Sequence, residues 1–202
     1  MIVADKIDFT KSNGLVPAVV IDAYTDQVLM LGFMNRESLE LTLKTKRVTF
    51  FSRTRNTIWT KGETSGNYLD LVEIKQDCDN DSLLVYAKPC GNTCHTGDYS
   101  CFGVEKNNAR FMEYLFGFIR QRKLQMPEGS YTAKLFKGGA DRIIQKVGEE
   151  AIETVIAAMK RDRNAILNEV SDLIYHLFVM LVEQGITLDE IGRTLKSRHN
   201  EE

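Results

Sequence analysis

The apolar positions of this chain follow two different periods. Up to about residue 105 they fall in short runs rich in β-branched residues, VPAVVID, QVLMLGF, RVTFFSR, TIWTK, YLDLVEIK and SLLVYA, separated by Gly, Asn, Asp and Thr. Runs of that length with turn residues between them predict strands. One insert, NRESLELTLKTK, has helical spacing and opens on Asn35, whose side chain can cap the free amides of a first turn. After GVEKNN the spacing becomes helical throughout, in ARFMEYLFGFIRQRK, DRIIQKVGEEAIETVIAAMKRD, AILNEVSDLIYHLFVMLVEQG and TLDEIGRTLKSRH. The tract MPEGSYTAKLFKGG between the first two of these reads as a loop. The expected architecture is an α+β domain over residues 1–108, mainly antiparallel β with a few helices, followed by an all-α helical bundle over residues 109–202, with a linker near residues 104–108. The helix spanning residues 163–183 is apolar around much of its circumference and is expected to be largely buried.

Composition narrows the function classes. The chain has 202 residues, 43% hydrophobic and 27% charged, enough for a substantial core. There are 12 basic and 14 acidic residues up to Asn108 and 14 of each after it, so neither half has the basic excess of a nucleic-acid binder. The opening MIVADKIDFT lacks an apolar signal core, and no stretch approaches about 18 uninterrupted apolar residues. No membrane partner and a cytoplasmic location are the expectation. In that reducing compartment clustered cysteines are metal ligands or catalysts more often than disulfides.

All four cysteines lie in DCDNDSLLVYAKPCGNTCHTGDYSC, residues 77–101. An EF-hand loop would need Gly at its sixth position and Glu at its twelfth, where Ser82 and Lys88 stand. Cys78, Cys90, Cys94 and Cys101 make no C-x-x-C pair, so the zinc-ribbon pattern is also missing. Spacing leaves a closed structural zinc and an open catalytic one equally admissible; in the open case the metal brings the pKa of its water to about 7 and His95 could shuttle protons. If extended, Asp77, Asp79 and Asp81 place three carboxylates on one face, which favours a hard cation; a polar turn is the plain alternative. Upstream, WTKGETSGN sets Glu63, Thr64 and Ser65 between Gly62 and Gly66 with Lys61 just before them, which suits a phosphate but also an ordinary turn.

WTKGETSGN, DCDNDSL and CHTGDYSCF, in this order, resemble phosphoribosyl-AMP cyclohydrolase of histidine biosynthesis over roughly the first half of the chain. That resemblance implies a homodimer that opens the adenine ring by hydrolysis, with zinc supplying hydroxide and magnesium also required. It implies Cys78, Cys94 and Cys101 as Zn2+ ligands drawn from both chains, and Asp77, Asp79 and Asp81 as Mg2+ ligands. Cys90 falls on no ligand position. His95 is the candidate proton carrier; Lys61, Ser65 and Arg53 or Arg55 are candidates for holding phosphates, any one arginine being otherwise a solvated strand end.

In the second half GEEAIE places Glu149, Glu150 and Glu153 within a helical turn, and EVSD places Glu169 and Asp172 three apart on the next helix. Such carboxylates are usually the wet face of an amphipathic helix. If the two helices fold back at KRDRNA, the acidic faces can instead meet and chelate Mg2+. The pattern resembles the MazG-like all-α NTP pyrophosphatases. With SYTAKLFKGG and KVGEEAIE it is closer to phosphoribosyl-ATP pyrophosphohydrolase, over about residues 109–199. The resemblance implies Glu149, Glu150, Glu153, Glu169 and Asp172 as Mg2+ ligands, Glu150 and Glu153 among them closest to the chemistry, and Lys134, Lys137 and Lys146 as phosphate partners. The small-molecule substrates implied are phosphoribosyl-ATP and then phosphoribosyl-AMP, two consecutive hydrolyses on one chain. The rival is a broad-specificity NTP pyrophosphatase fused to a structural zinc module.

Overall fold

The computed structural model describes residues 4–11 and 13–199. It contains two compact units, Met1–Phe111 and Met112–Glu202. In the first, β1 (Val16–Asp22) and β2 (Val28–Met34) form an antiparallel pair, as do β5 (Leu69–Gln76) and β6 (Leu83–Pro89). The two pairs join through β1 and β6, which run parallel with Ala18 opposite Leu83 and Val20 opposite Val85, giving the order β2-β1-β6-β5. A hairpin of β3 (Thr49–Ser52) and β4 (Thr57–Thr60) makes a second sheet. The alternation read from the sequence is visible as burial: Val16, Ala18 and Val20 on β1 and Val85 and Ala87 on β6 are fully enclosed, with intervening residues partly exposed.

Helix α1 (Arg36–Thr45) starts as its sequence dictates. Asn35 accepts from the Ser38 amide at 2.8 Å, and Ser38 Oγ accepts from the Asn35 amide at 3.0 Å, a reciprocal capping box. Leu39 enters the core beside Val48 and Phe50. Phe50 is 1% exposed and lies so close over Gly32 of β2 that a Cβ there would overlap its ring.

The second unit is helical: α2 (Phe111–Gln125), α3 (Tyr131–Lys137), α4 (Gly139–Lys160), α5 (Arg163–Gln184) and α6 (Leu188–His199). The tract expected to be a loop contains α3. Ser130 caps it by accepting from the Ala133 amide, Thr132, Ala133, Leu135 and Phe136 are buried, and Gly139, the first residue of α4, takes φ +80° where α3 ends. Seven residues are too few for a helical period to stand out between Pro127 and Gly138, which hid it. Chain reversal between α4 and α5 uses Arg161 in the left-handed region and Asp162, whose carboxylate accepts from the Asn164 and Ala165 amides. The core comprises Phe116, Ile119, Leu135, Phe136, Ile143, Phe178, Val179 and Val182.

Helix α5 corrects one expectation. Only His176, Phe178, Val179 and Val182 are buried along it, and Leu167 is 54% exposed. A helix hairpin covers one face of each helix, so apolar residues spread around the circumference remain partly open; Ile152, Val155 and Met159 of α4 are exposed in the same way. Among the described residues α5 alone is long and apolar enough, by length and composition, to cross a membrane.

Candidate active sites

The thiol site is built on a loop sutured to the sheet. Cys101 N donates to Leu29 O at 2.8 Å, Ser100 Oγ to Val28 O at 2.7 Å, and Tyr99 OH to the Asp22 carboxylate at 2.7 Å. Within the loop, Cys94 N donates to Asp98 O at 2.9 Å. Thr96 Oγ1 lies 3.0 Å from Cys94 Sγ, and this contact leads the causes that lower the Cys94 pKa. Cys101 shares a side-chain hydrogen bond with Cys94 and is pushed the other way, mainly by burial. The two shifts run in opposite directions, so Cys94 gives up its proton more readily than Cys101. His95 Nδ1 stands 3.8 Å from Cys94 Sγ.

These groups open onto a cleft of about 500 Å³ lined also by Arg55, Trp59, Lys61, Glu63 and Ser65. Burial lowers the Lys61 pKa while Cys101 and Cys94 oppose that shift, so its ammonium senses both sulfurs. Gly62 holds the segment's turn at φ +93°, where a Cβ would come within 2.5 Å of the Asn67 backbone. Arg55 and not Arg53 reaches this cleft: the Arg53 guanidinium stacks on Phe33, 3.7 Å from the ring centroid, and both arginines lie in the β3–β4 turn, where strand alternation does not set the direction of a side chain. Cys90 is held elsewhere, 3.3 Å from Asp70 Oδ2. Among the described residues Cys78, Cys94 and Cys101 do not bring their three sulfurs within 4.8 Å of one another; Cys94 and Cys101 alone of the three share a hydrogen bond.

Asp77, Asp79 and Asp81 do converge, each offering an oxygen within 4.8 Å of the others. They do so in a turn and not along an extended strand. Asp77 Oδ1 accepts from the amides of Asp81 and Ser82, at 3.0 and 3.1 Å, and Asn80 takes φ +63°. Lys11 Nζ lies 2.6 Å from Asp79 Oδ2 and 3.2 Å from Asp81 Oδ2, and its hydrogen bond holds the Asp79 carboxyl below the usual range. The donors are hard oxygens that suit a divalent cation, and any such ion shares them with that ammonium.

In the helical unit Glu150 of α4 meets Glu169 and Asp172 of α5, again with one oxygen each within 4.8 Å. Glu150 is 5% exposed. Glu153 stands beside the group: the Glu150 charge, then burial, then Glu169 raise its pKa. Three acidic groups crowded at the junction of two helices, one of them buried, fit a hard cation by charge and donor type. Glu149 is turned away, paired with Lys146 at 2.9 Å and Arg142 at 3.6 Å. Lys146 also reaches Glu150 Oε1 at 2.6 Å. Lys134 and Lys137 are exposed on α3 and form no ion pair among the described residues.

Two residues near these groups escape a reading of local motifs. Lys11 is 68 residues from Asp79, so only folding pairs them. His176 is 4% exposed with Nε2 3.7 Å from Glu150 Oε1. It follows Asp172 by one helical turn in SDLIYH, and that i,i+4 spacing was its available signal.

Paired thiols sharing a cleft with a lysine, and carboxylates converging across a helix hairpin, define a bifunctional hydrolase with two separate centres. The comparisons agree in the same order along the chain. Residues 30–103 match the family model for phosphoribosyl-AMP cyclohydrolase and residues 113–199 that for phosphoribosyl-ATP pyrophosphohydrolase. The histidine biosynthesis bifunctional protein HisIE of Bacteroides thetaiotaomicron is 51% identical over 197 residues, covering 96% of this chain and 97% of that one. Its namesake from Escherichia coli strain K12 is 51% identical over 194 residues, 96% of each chain, and that of Buchnera aphidicola 48% over 192 residues, 95% and 89%. The chain belongs to this family of bifunctional histidine-biosynthesis proteins.

Proposed function

We propose that the helical unit hydrolyses phosphoribosyl-ATP to phosphoribosyl-AMP and pyrophosphate, and that the α+β unit then hydrolyses the C6–N1 bond of the phosphoribosyl-AMP adenine ring. The reading is carried by the convergence of Glu150, Glu169 and Asp172 in one unit and of Cys94, Cys101 and Lys61 in the other. It assigns the domains to residues 1–108 and 109–202, the second as a MazG-like bundle, in a cytoplasmic homodimer.

Zn2+ at Cys94 and Cys101, completed by Cys78 of a second copy, and Mg2+ at the carboxylate groups supply Lewis acidity and water activation when bound. The protein's own residues do the rest. Lys61, Arg55 and Ser65 line the cleft where ribosyl phosphates can be held, and Trp59 offers it an apolar ring. His95, beside the thiols, is placed to carry a proton to the departing N1. The Asp77, Asp79 and Asp81 turn hangs from the end of β5, and Lys11 must yield to a cation there. In the other unit Glu150 and Glu153 face Glu169 and Asp172, and Lys146 tethers Glu150 from the preceding turn. Lys134 and Lys137 extend positive charge outward for the triphosphate.

A double dissociation tests the assignment. Cys101→Ser should abolish ring opening of supplied phosphoribosyl-AMP and leave pyrophosphate release intact; Glu150→Gln should depress pyrophosphate release by about a hundredfold or more and spare ring opening. Unchanged pyrophosphate release in Glu150→Gln would remove the carboxylate assignment, and unchanged ring opening in Cys101→Ser the thiol assignment.

A further inference from the structure

His176 takes no part in the chemistry described so far, yet its placement costs stability. The imidazole is enclosed on α5, Tyr131 and Tyr175 meet it edge to face with centroids 6.2 and 5.2 Å away, and Nδ1 is buried with no hydrogen-bond partner. An apolar side chain of similar size would fill that space without an orphaned polar atom. What the imidazole offers in exchange is its other nitrogen, 3.7 Å from Glu150 Oε1, the same oxygen that Lys146 reaches at 2.6 Å.

The tautomer follows from this geometry. With the proton on Nδ1, a buried N–H would have no acceptor and the Nε2 lone pair would face a carboxylate. With the proton on Nε2, its N–H points at Glu150 and the orphan is a lone pair, the milder of the two. At 3.7 Å the contact is a charge–dipole attraction that a small shift of Glu150 turns into a hydrogen bond. Lys146 reaches Glu150 from within α4 on a long, flexible stem; His176 reaches it from α5, the helix that carries Glu169 and Asp172. A rigid group on the opposite helix fixes the carboxylate relative to its two partners, which a lysine of its own helix cannot do.

We infer that His176 is a positioning residue: its Nε2–H orients Glu150 so that Glu150, Glu169 and Asp172 close on a divalent cation as a set. The inference rests on the reading of Glu150 as a cation ligand, and the test separates the two. Mn2+ binding is measured by calorimetry on the full chain in an Asp79→Asn, Asp81→Asn background, which leaves the helical unit as the carboxylate site under observation. Glu150→Gln, His176→Leu, His176→Gln and His176→Asn are compared in that background, with melting curves for each. Removing a group that orients a metal ligand typically lowers metal affinity by roughly 10- to 100-fold, the loss expected for His176→Leu. A glutamine amide falls near the Nε2 position and should restore most of it; an asparagine amide falls near Nδ1 and should not. Equal restoration by Asn and Gln, or parental affinity in folded His176→Leu, overturns the positioning role while loss in Glu150→Gln keeps the ligand reading. Parental affinity in Glu150→Gln removes both. If His176→Leu does not fold, the Gln and Asn pair alone decides between the outcomes.

Discussion

Tyr99→Phe removes one oxygen from the suture that holds the thiol loop against the sheet. Tyr99 is 9% exposed and Asp22 2%; Tyr99 OH donates to Asp22 Oδ2 at 2.7 Å and, its proton so committed, accepts from Thr25 Oγ1 at 3.2 Å. A hydrogen bond to a charged group contributes about 1.5–3 kcal/mol, and the loss of its acceptor strands the Thr25 hydroxyl, 4% exposed, as well. Phe fills the same space, so no cavity term is added, and the first unit should lose about 2–3 kcal/mol. Trp59 is the chain's single tryptophan and packs against the core of that unit, so its fluorescence in urea follows this unit without the other. With a slope of about 1–3 kcal/mol per M the midpoint should fall by roughly 1 M at unchanged slope. Burial first, and the Asp22 carboxylate after it, push the Tyr99 phenol up to about 12 from 10.0. The unfolded chain gives up this proton near the lower value and the folded chain near the higher. The phenol's contribution is therefore complete below pH 10.0 and is lost as pH rises to about 12, and the deficit of Tyr99→Phe should narrow across that window. A midpoint within roughly 0.2 M of the parent, or a deficit independent of alkaline pH, would refute the reasoning.

Two further outcomes are expected. Mixed Cys78→Ser and Cys94→Ser chains should recover about a quarter of the parental ring-opening sites, since random pairing makes half the dimers mixed and each mixed dimer holds one intact site; no recovery despite demonstrated subunit exchange would place each site in one chain. Gly32→Ala drives a methyl into the Phe50 ring and should destabilise the first unit by about 1–3 kcal/mol while pyrophosphate release continues, measured by Trp59 fluorescence and by phosphate release.

The sequence displays most clearly what depends on neighbours along the chain. Asn35 and Ser38 mark the start of α1, the change of period marks the passage to helices, and KRDRNA marks the reversal that brings Glu150 to Glu169 and Asp172. The thiols and the three aspartates are visible as a cluster because 25 residues contain them all. What stayed hidden is long-range or too short. Helix α3 has seven residues and a loop's composition, and its helical state comes from Ser130 and burial of Leu135 and Phe136. The aspartates meet through a turn with Asn80 in the left-handed region, which alternation along a strand does not describe. Arg53 and Arg55 both lie in the β3–β4 turn, where no period guides the reading, and only the fold stacks one on Phe33 and brings the other to the cleft. The partial exposure of α5 reflects how little surface two helices can cover for each other.

The most direct test of the central claim is to give the purified protein phosphoribosyl-ATP with Mg2+ and Zn2+ and identify the products by mass. Phosphoribosyl-AMP and pyrophosphate should form first, followed by a species one water heavier than phosphoribosyl-AMP, with ordinary nucleoside triphosphates left essentially uncut. Cleavage of ordinary triphosphates at a comparable rate, with phosphoribosyl-AMP persisting unopened, would contradict the claim.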